Sequence, residues 1–305
     1  MVAIRHTELD IFPFVLSTST FGTLADANDV TAILDEFVAS GGNCIDTSAA
    51  YAQGEAERLV GLWREDRDND TLVITSALNH GLGSAAAVRQ AVDTSRERLG
   101  VESIDILYVY PDDVGMPVED LVSAASALVD DNYARHVGLI GDDIAAMRSF
   151  FAAAAQTPAR PVVIQPEYSL LQRLPLERDF APLAKQYSAA VIPRFALASG
   201  LLTGKYRSEA DIVGAARERL VRGYLTGNTF NVVRQLDRIA DNHDTEVATV
   251  ALAWMLAKGV TAPQASVSCA EQLPALMTAP KLKLSTDEIA YLDAASAPIR
   301  DTRKL

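Results

Sequence analysis

Apolar residues recur along the chain in two spacings that alternate from one end to the other. Short and nearly unbroken apolar runs, such as residues 104–110, are typical of buried strands. Longer stretches, such as residues 26–40, carry apolar side chains three and four positions apart, which indicates amphipathic helices. Glycine, proline and small polar residues between them mark the turns. The pattern therefore predicts a series of strand–helix units.

Eight such units can be traced. The predicted strands cover residues 14–17, 43–45, 71–75, 104–110, 135–140, 161–165, 189–193 and 260–265. The predicted helices between and after them cover residues 26–40, 55–64, 84–99, 118–129, 143–155, 175–187, 228–242 and 245–258. Strict alternation implies a parallel sheet, and eight units in 305 residues fit a closed (β/α)8 TIM barrel.

The ends of the chain complete this α/β fold. Residues 4–14 predict a small N-terminal β-hairpin that closes the bottom of the barrel, and residues 270–278 and 286–295 predict a C-terminal helical extension. No Gly-x-Gly-x-x-Gly motif follows the first strand, which argues against an open dinucleotide-binding sheet. No low-complexity linker interrupts the pattern, so we expect one domain over residues 1–305.

The charge balance narrows the possible partners. The chain has 27 basic and 40 acidic residues, a net charge of −13, which repels phosphate backbones and argues against nucleic-acid binding. Cys44 and Cys269 lack metal-type spacing and suit a reducing compartment. No stretch reads as a signal peptide or approaches the ~18 apolar residues of a membrane span. We therefore expect a cytoplasmic protein without a metal site, and the oligomeric state stays open.

Candidate chemistry begins with Asp46 and Tyr51. The short apolar run at 43–45 ends in Asp46, and Tyr51 follows five residues later. A carboxylate beside a phenol at a strand end is an arrangement for proton transfer. The alternative is that Asp46 caps the next helix and Tyr51 packs at the barrel mouth. In a barrel of this type the active site lies at the carboxyl ends of the strands, where Ser76, Tyr110, Gln165 and Arg194 are also expected.

Several motifs occur in a fixed order along the chain: TSTFG at 18–22, IDT at 45–47 with Tyr51 and GEAE at 54–57, IDILYV at 104–109, QPEY at 165–168, PR at 193–194 and LASGLLTGKY at 197–206. In this order and spacing they resemble the aldo-keto reductases, from the hairpin to about residue 296. The resemblance implies reduction of a small carbonyl substrate with NADP or NAD as the cofactor.

The same resemblance implies a catalytic set of aspartate, tyrosine, lysine and histidine. Asp46 and Tyr51 match the first two, whereas Ser76 stands where the lysine is expected and Tyr110 where the histidine is expected. Without the lysine cation, Asp46 should raise the pKa of Tyr51, and the loss of an activated acid typically costs about 10²–10⁴ in rate. We expect Asp46 to be held by neutral donors (Ser76, Tyr51 or water) with a pKa raised by desolvation. His80 is a possible substitute donor.

The resemblance also assigns residues to the cofactor: Thr18, Gln165, Arg194, Ser199, Gly200, Leu201, Gly204 and Lys205. Other contacts of the family are absent, because Ile140-Gly141 replaces a Ser-Asn pair and residues 264–269 contain no cation for a 2′-phosphate. We therefore expect weak binding without a clear preference for NADP, unless Arg217, Arg219 or Arg222 supplies the missing charge.

Three functions remain open from the sequence. The first is an oxidoreductase that uses Tyr51 as proton donor. The second is a barrel that has lost hydride chemistry and binds a ligand or a protein partner. The third is a non-redox enzyme, for instance an isomerase, that uses Tyr51, Tyr110 or His80.

Overall fold

The computed structural model describes residues 1–65, 67, 72–112 and 115–297. Eight parallel strands form one sheet in the order β10-β3-β4-β5-β6-β7-β8-β9, and β1 and β2 form a separate antiparallel pair. The strands are β1 Val2–Ala3, β2 Asp10–Ile11, β3 Val15–Ser17, β4 Cys44–Ser48, β5 Val73–Ala77, β6 Ile104–Val109, β7 Ala134–Ile140, β8 Pro161–Gln165, β9 Ala190–Val191 and β10 Gln264–Ala265.

Helices follow the strands in the predicted order. They are α1 Ala27–Ala39, α2 Glu55–Glu65, α3 Ala85–Leu99, α4 Val118–Asp130, α5 Ile144–Ala154, α6 Ala181–Tyr187, α7 Glu218–Arg222, α8 Thr229–Asn242, α9 Val247–Ala257, α10 Leu273–Thr278 and α11 Thr286–Ala295. Short 3₁₀ turns lie at Tyr51–Gly54, Ala198–Thr203, Glu209–Ile212, Ala270–Gln272 and Ala279–Lys281, and a π turn at Leu176–Phe180 leads into α6. No helix of the described ranges is long and apolar enough to cross a membrane.

Backbone hydrogen bonds join the two ends of the sheet. The N–H of Thr261 donates to the carbonyl of Val191 at 2.9 Å, and the N–H of Gln264 donates to that of Pro193 at 3.2 Å. The ladder therefore closes, and the predicted (β/α)8 barrel is confirmed. The hairpin β1–β2 lies at the closed end, where Ile4 belongs to the apolar cluster that fills the barrel.

Two apolar clusters divide the core according to the pleat of the strands. One fills the barrel interior and includes Cys44, Val73 and Ala77. The other lies between the sheet and the helices and includes Ile45 and Ile74. Since neighbouring residues of a strand face opposite sides, the even-numbered residues of β4 and the odd-numbered residues of β5 point into the barrel.

Two strands near the candidate site differ from their predicted bounds. β4 continues through Ser48, so Asp46 lies within the strand rather than at its end. β5 covers Val73–Ala77 rather than residues 71–75, and Thr71 lies outside the described residues. The difference matters because both strands extend farther toward the mouth, so that Ser76, expected just beyond β5, lies within the strand and its side chain takes the outward face.

The helix ends follow the local signals. Asp26 caps α1 by accepting hydrogen bonds from the backbone of Asn28 and Asp29. Gly100 ends α3 in a left-handed conformation, with φ of +63°. These caps fix where each helix begins and ends, and thereby where the strand-end loops leave the barrel.

Candidate active site

Hydrogen bonds hold both carboxylate oxygens of Asp46 inside the barrel. Thr75 Oγ1 and Gln165 Nε2 each donate to Asp46 Oδ1 at 2.9 Å. Gln264 Nε2 donates to Asp46 Oδ2 at 2.6 Å. Gln165 Nε2 also donates to Gln264 Oε1 at 2.7 Å, which ties the two amides together. All four side chains are buried, and we name this set of four residues the Asp46 cage.

The Asp46 cage contains no cation. Burial raises the pKa of Asp46 to about 6, and the hydrogen bonds from Gln165, Thr75 and Gln264 only partly offset that rise. The expectation of neutral donors and a raised pKa is therefore confirmed. The donors themselves differ from the predicted ones, since neither Ser76 nor Tyr51 is among them.

Tyr51 starts the 3₁₀ turn that follows β4. Ala52 and Gln53 have φ values of +48° and +60°, a left-handed conformation that costs a non-glycine residue roughly 1–2 kcal/mol. Gly54 continues in the same region, and a Cβ at that position would clash with the guanidinium of Arg98. Such backbone strain beside a candidate proton donor is typical of functional sites.

The electrostatic surroundings keep the phenol of Tyr51 neutral. Burial raises its pKa well above the usual value, and the charge of Asp46 raises it further. Hydrogen bonding with Ser17 and the positive charge of Arg194 act in the opposite direction. At neutral pH Tyr51 therefore keeps its proton and can donate a hydrogen bond to a substrate oxygen.

Ser76 does not belong to this site. Its hydroxyl donates to Glu57 Oε1 at 2.9 Å on the outward face of β5. Glu57 is fully buried, and Arg98 Nη1 lies 3.2 Å from its second oxygen. The prediction that Ser76 replaces the family's lysine beside Asp46 is therefore wrong. The pleat gives the reason, because Thr75 faces inward and Ser76 faces the helices.

Ala77 is the inward residue at the carboxyl end of β5. It belongs to the interior cluster, and its backbone carbonyl accepts a hydrogen bond from Ser48 Oγ at 3.0 Å. A side chain at this position would extend from the same face as Thr75 toward the mouth. A lysine on this strand that reached Asp46 from the mouth would therefore have to stand at position 77, which is an alanine. Strict alternation from Thr75 is the signal in the sequence that identifies it.

Tyr110 follows β6 at the mouth and stacks on His80. The two ring centroids are 3.5 Å apart, and the ring planes are inclined by 36°. Burial raises the pKa of Tyr110, the charge of Arg194 lowers it and the charge of Asp46 raises it. Tyr110 can therefore offer a hydrogen bond as a neutral phenol, and the imidazole of His80 stacked on it is exposed.

Arg194 lies over the mouth in an ion pair with Asp142. Asp142 also accepts a hydrogen bond from the backbone N–H of Glu167 at 3.2 Å. Gly141 precedes it with φ of +134°, a conformation that glycine adopts readily because it has no Cβ. The guanidinium is thus fixed, and its charge acts on the phenols of the mouth.

Thr18, which the resemblance assigns to the cofactor, faces away from the mouth. It is fully buried, and its hydroxyl donates to Thr47 Oγ1 at 2.8 Å. Ser17, one residue earlier, is the side chain that interacts with Tyr51. The prediction for Thr18 is therefore wrong for its side chain, again because neighbouring strand residues face opposite sides.

The segment after β9 carries the remaining residues that the resemblance assigns to the cofactor: Ser199, Gly200, Leu201, Gly204 and Lys205. Leu201 is fully buried, so only its backbone could contact a ligand. A Cβ on Gly204 would lie 2.9 Å from Val247, which indicates a packing role. A Cβ on Gly200 would lie 3.0 Å from Lys205 Nζ. Gly200 therefore leaves room for the ammonium group.

The backbone of this segment is strained. Phe195, Ala198 and Ser199 have φ values of +57°, +46° and +57°. Left-handed conformations are uncommon for residues with a Cβ, above all for a bulky one such as Phe195. Successive residues with such conformations can turn their N–H groups toward an anion.

Two cations near this segment have no described carboxylate within salt-bridge distance, Lys205 and Arg217. Lys205 Nζ lies 4.9 Å from the ring centroid of Tyr206. Arg217 Nη2 donates to Ser266 Oγ at 3.4 Å, just beyond β10. Burial lowers the pKa of Arg217, and Tyr206 and Tyr51 raise it. Arg217 is thus a partly buried cation beside Ser266 and near the phenols of Tyr206 and Tyr51.

The residues at the mouth fit a nicotinamide dinucleotide in part. Lys205, Arg217 and Ser266 suit its phosphates. On the nicotinamide side, Gln165 already uses both amide hydrogens within the Asp46 cage. Within the described ranges, no group of three or more His, Cys, Asp or Glu side chains could hold a metal ion.

Comparison with known proteins agrees with this architecture. The profile described as Aldo/keto reductase family matches residues 15–297. The chain therefore belongs to the aldo/keto reductase family, a family of oxidoreductases. The glycerol dehydrogenase from Gluconobacter oxydans has the same fold, with a TM-score of 0.85, 20% identity and coverage of 99% of this chain and 98% of that one.

Curated relatives carry several names. A probable voltage-gated potassium channel subunit beta from Oryza sativa subsp. japonica is 29% identical over 77% of this chain and 76% of its own length. An aldo-keto reductase from Strobilurus tenacellus is 30% identical over 78% and 72%. A probable aryl-alcohol dehydrogenase from Saccharomyces cerevisiae is 26% identical over 86% of each chain. The names of these relatives thus include both enzymes and a channel subunit.

Proposed function

We propose that this protein reduces small carbonyl compounds with a nicotinamide cofactor and that Tyr51 is the proton donor. The observation that carries the proposal is the neutral phenol of Tyr51 at the mouth, beside the buried carboxylate of Asp46 and within the field of Arg194. The names of the relatives suggest aromatic aldehydes and short polyol ketones as the first substrates to test.

The residues at the mouth would act as follows. A reduced nicotinamide, when bound, supplies the hydride. Tyr51 donates a hydrogen bond to the carbonyl oxygen and passes its proton to that oxygen as negative charge develops there. Tyr110 donates a second hydrogen bond to the same oxygen. The charge of Arg194 stabilises the phenolate that remains on Tyr51. Asp46 stays in its cage and does not contact the substrate.

Without a lysine beside Tyr51 among the described residues, this mouth should be a weak catalyst. A lysine beside the phenol would lower its pKa directly, whereas Arg194 only partly offsets the effects of burial and Asp46. The rate should therefore lie about 10²–10⁴ below that of a mouth with the complete set of four residues.

A paired kinetic and binding measurement tests the proposal. Cofactor binding is followed by the fluorescence of NADH and NADPH, and reduction of an aromatic aldehyde by their absorbance. Tyr51→Phe should lower kcat about 100-fold or more while cofactor binding persists, and Tyr291→Phe, an exposed tyrosine on α11, serves as the control. Absence of cofactor binding up to about 1 mM, ~4 kcal/mol, would remove the proposal.

Arg217 is the cation that we assign to the cofactor's phosphates. Arg217→Met should weaken NADH and NADPH binding about tenfold, the loss of one charge-assisted contact, ~1.4 kcal/mol. Arg219→Met removes an exposed cation of the same helical segment and should change neither constant. If only NADPH binding weakens, Arg217 contacts the 2′-phosphate rather than the pyrophosphate.

A second candidate function is a barrel that binds a ligand or a protein partner without hydride transfer. One observation favours it, namely that Gln165 is committed to Asp46 and Gln264 instead of facing a nicotinamide. A relative named as a potassium channel subunit belongs to the same family. This second function would be favoured if the protein bound no cofactor and reduced no carbonyl compound in the assays above.

A further inference from the structure

Gln264 contributes to the Asp46 cage from the opposite end of the chain. It lies on β10, 218 residues from Asp46, and its amide donates to Asp46 Oδ2 at 2.6 Å. Its carbonyl oxygen accepts a hydrogen bond from Gln165 at 2.7 Å. Gln264 therefore contacts the side chains of both Asp46 and Gln165. With 4% exposure, it is shielded from solvent.

Among the residues that the structure describes, no cation forms a contact with Asp46 that would balance its charge. The titratable groups whose pKa Asp46 raises are the Cys44 thiol and three phenols, Tyr51, Tyr108 and Tyr110. All four are neutral at pH 7 because burial raises their pKa as well. The residue that would carry the cation, at the carboxyl end of β5, is Ala77. The carboxylate thus depends on its three neutral donors.

The three donors do not contribute equally. Thr75 and Gln165 share one carboxylate oxygen, whereas Gln264 alone binds the other and gives the shortest contact. A hydrogen bond to a buried charge stabilises more than one between neutral groups, and an unsatisfied buried oxygen is costly. Loss of Gln264 would leave Oδ2 without a donor and would release one hydrogen of the Gln165 amide.

We propose that Gln264 is a positioning residue that takes the place of the family's lysine as the partner of Asp46 and holds Gln165 in the same contact. A lysine would hold the carboxylate and also charge the phenol. Gln264 performs only the first task, because its amide is neutral. The catalytic meaning of this role rests on the proposed function, whereas the contact with Asp46 does not.

The test follows the titration of Asp46 by carbon-13 NMR of the labelled carboxyl group in the full chain. In the unchanged protein the pKa should lie at about 6. Gln264→Met keeps the length of the side chain but removes the amide, and should raise the pKa of Asp46 by about one to two units. Gln235→Met removes a glutamine amide on α8 whose hydrogen bond in the described part of the chain goes to Asn231, and should leave the titration unchanged.

A rescue variant distinguishes the hydrogen bond of Gln264 to Asp46 from a mere packing role of the Gln264 side chain. Ala77→Lys combined with Gln264→Met should bring the pKa of Asp46 below 6, because a cation then replaces the lost donor. A packing defect would not be repaired in this way. If Gln264→Met does not fold, Gln264→Asn withdraws the amide from Asp46 and is measured in its place.

An Asp46 titration that Gln264→Met and Gln264→Asn both leave at about 6 would overturn the proposal. The same variants are titrated with NADH. Failure of the unchanged protein to bind NADH would overturn the proposed function, while the NMR titration, which needs no cofactor, would still decide the role of Gln264.

Discussion

Two buried carboxylates lie on opposite faces of the same pair of strands and are held in opposite ways. Asp46 lies inside the barrel, 1% exposed, with three neutral donors. Glu57 lies outside it, fully buried on α2, between the hydroxyl of Ser76 and the guanidinium of Arg98. A partner with opposite charge thus compensates one carboxylate and not the other.

The difference shows what each carboxylate contributes. The contact of Glu57 with Arg98 joins α2 to α3, so its role is to hold the helices on the barrel. Asp46 keeps a destabilising charge beside Tyr51, and its pKa rises to about 6. An uncompensated buried charge lowers stability, and groups of this kind cluster at functional sites. Glu57 of the GEAE motif therefore has a structural contact, whereas Asp46 is the carboxylate that acts on the phenol which we propose as the proton donor.

The largest expected effect is the loss of the outer ion pair. Glu57→Ala should lower the free energy of unfolding by about 3 kcal/mol, because it removes one member of a buried pair and leaves Arg98 partly buried. Glu55→Ala, on the same helix, breaks an exposed pair with Arg58 and should cost less than about 1 kcal/mol. Urea unfolding measures both. Equal losses of stability in the two variants would show that the buried pair of Glu57 and Arg98 contributes no more than an exposed ion pair.

Asp46→Asn tests the inner carboxylate through pH. A folded-state pKa of about 6, raised from 3.8, means that the native protein binds the extra proton. The stability from this group is full below pH 3.8 and is lost as the pH rises through 6. From pH 4 to pH 8, the unchanged protein should therefore lose about 2–3 kcal/mol of unfolding free energy relative to Asp46→Asn, which has no carboxyl group at this position. A constant difference would contradict the raised pKa.

Restoring a cation to the inner site should raise activity. Ala77→Lys places an ammonium on the inward face beside Asp46 and Tyr51, and should increase carbonyl reduction about 100-fold, ~2.7 kcal/mol. Ser76→Lys is the matched control, because the same group one residue earlier faces Glu57 and Arg98. An increase with Ser76→Lys and none with Ala77→Lys would reverse our assignment of the two faces.

Glu167 is a third buried carboxylate, held by a neutral donor as Asp46 is, and loss of its contact should have a smaller effect on stability. Glu167 Oε1 accepts a hydrogen bond of 2.6 Å from the phenol of Tyr224, which holds the segment after β9 near the mouth. Tyr224→Phe should lower the free energy of unfolding by about 1–2 kcal/mol. Tyr291→Phe, on an exposed tyrosine, is the control. Thermal unfolding decides, and equal melting temperatures for the two variants would contradict the role of this contact.

Much of the fold could be predicted from the sequence. The alternation of strand-like and helix-like runs predicted the eight units, and Asp26 and Gly100 marked helix ends that the structure confirms. The nearness of Asp46 and Tyr51 also followed from their spacing along one strand and its loop. Each of these features depends on periodicity and hydrogen bonds within a few residues, which the local sequence contains.

The tertiary structure alone decided the composition of the site. A strand predicted to end at residue 75 placed Ser76 just beyond it, beside Asp46, whereas β5 continues through Ala77 and its pairing with β4 sets Thr75 opposite Asp46. Gln264 reaches Asp46 only because the barrel closes and brings β10 next to β3. The register of a strand is fixed by its neighbours and by the burial of one face, so a shift of one residue exchanges every side chain between the barrel interior and the helices.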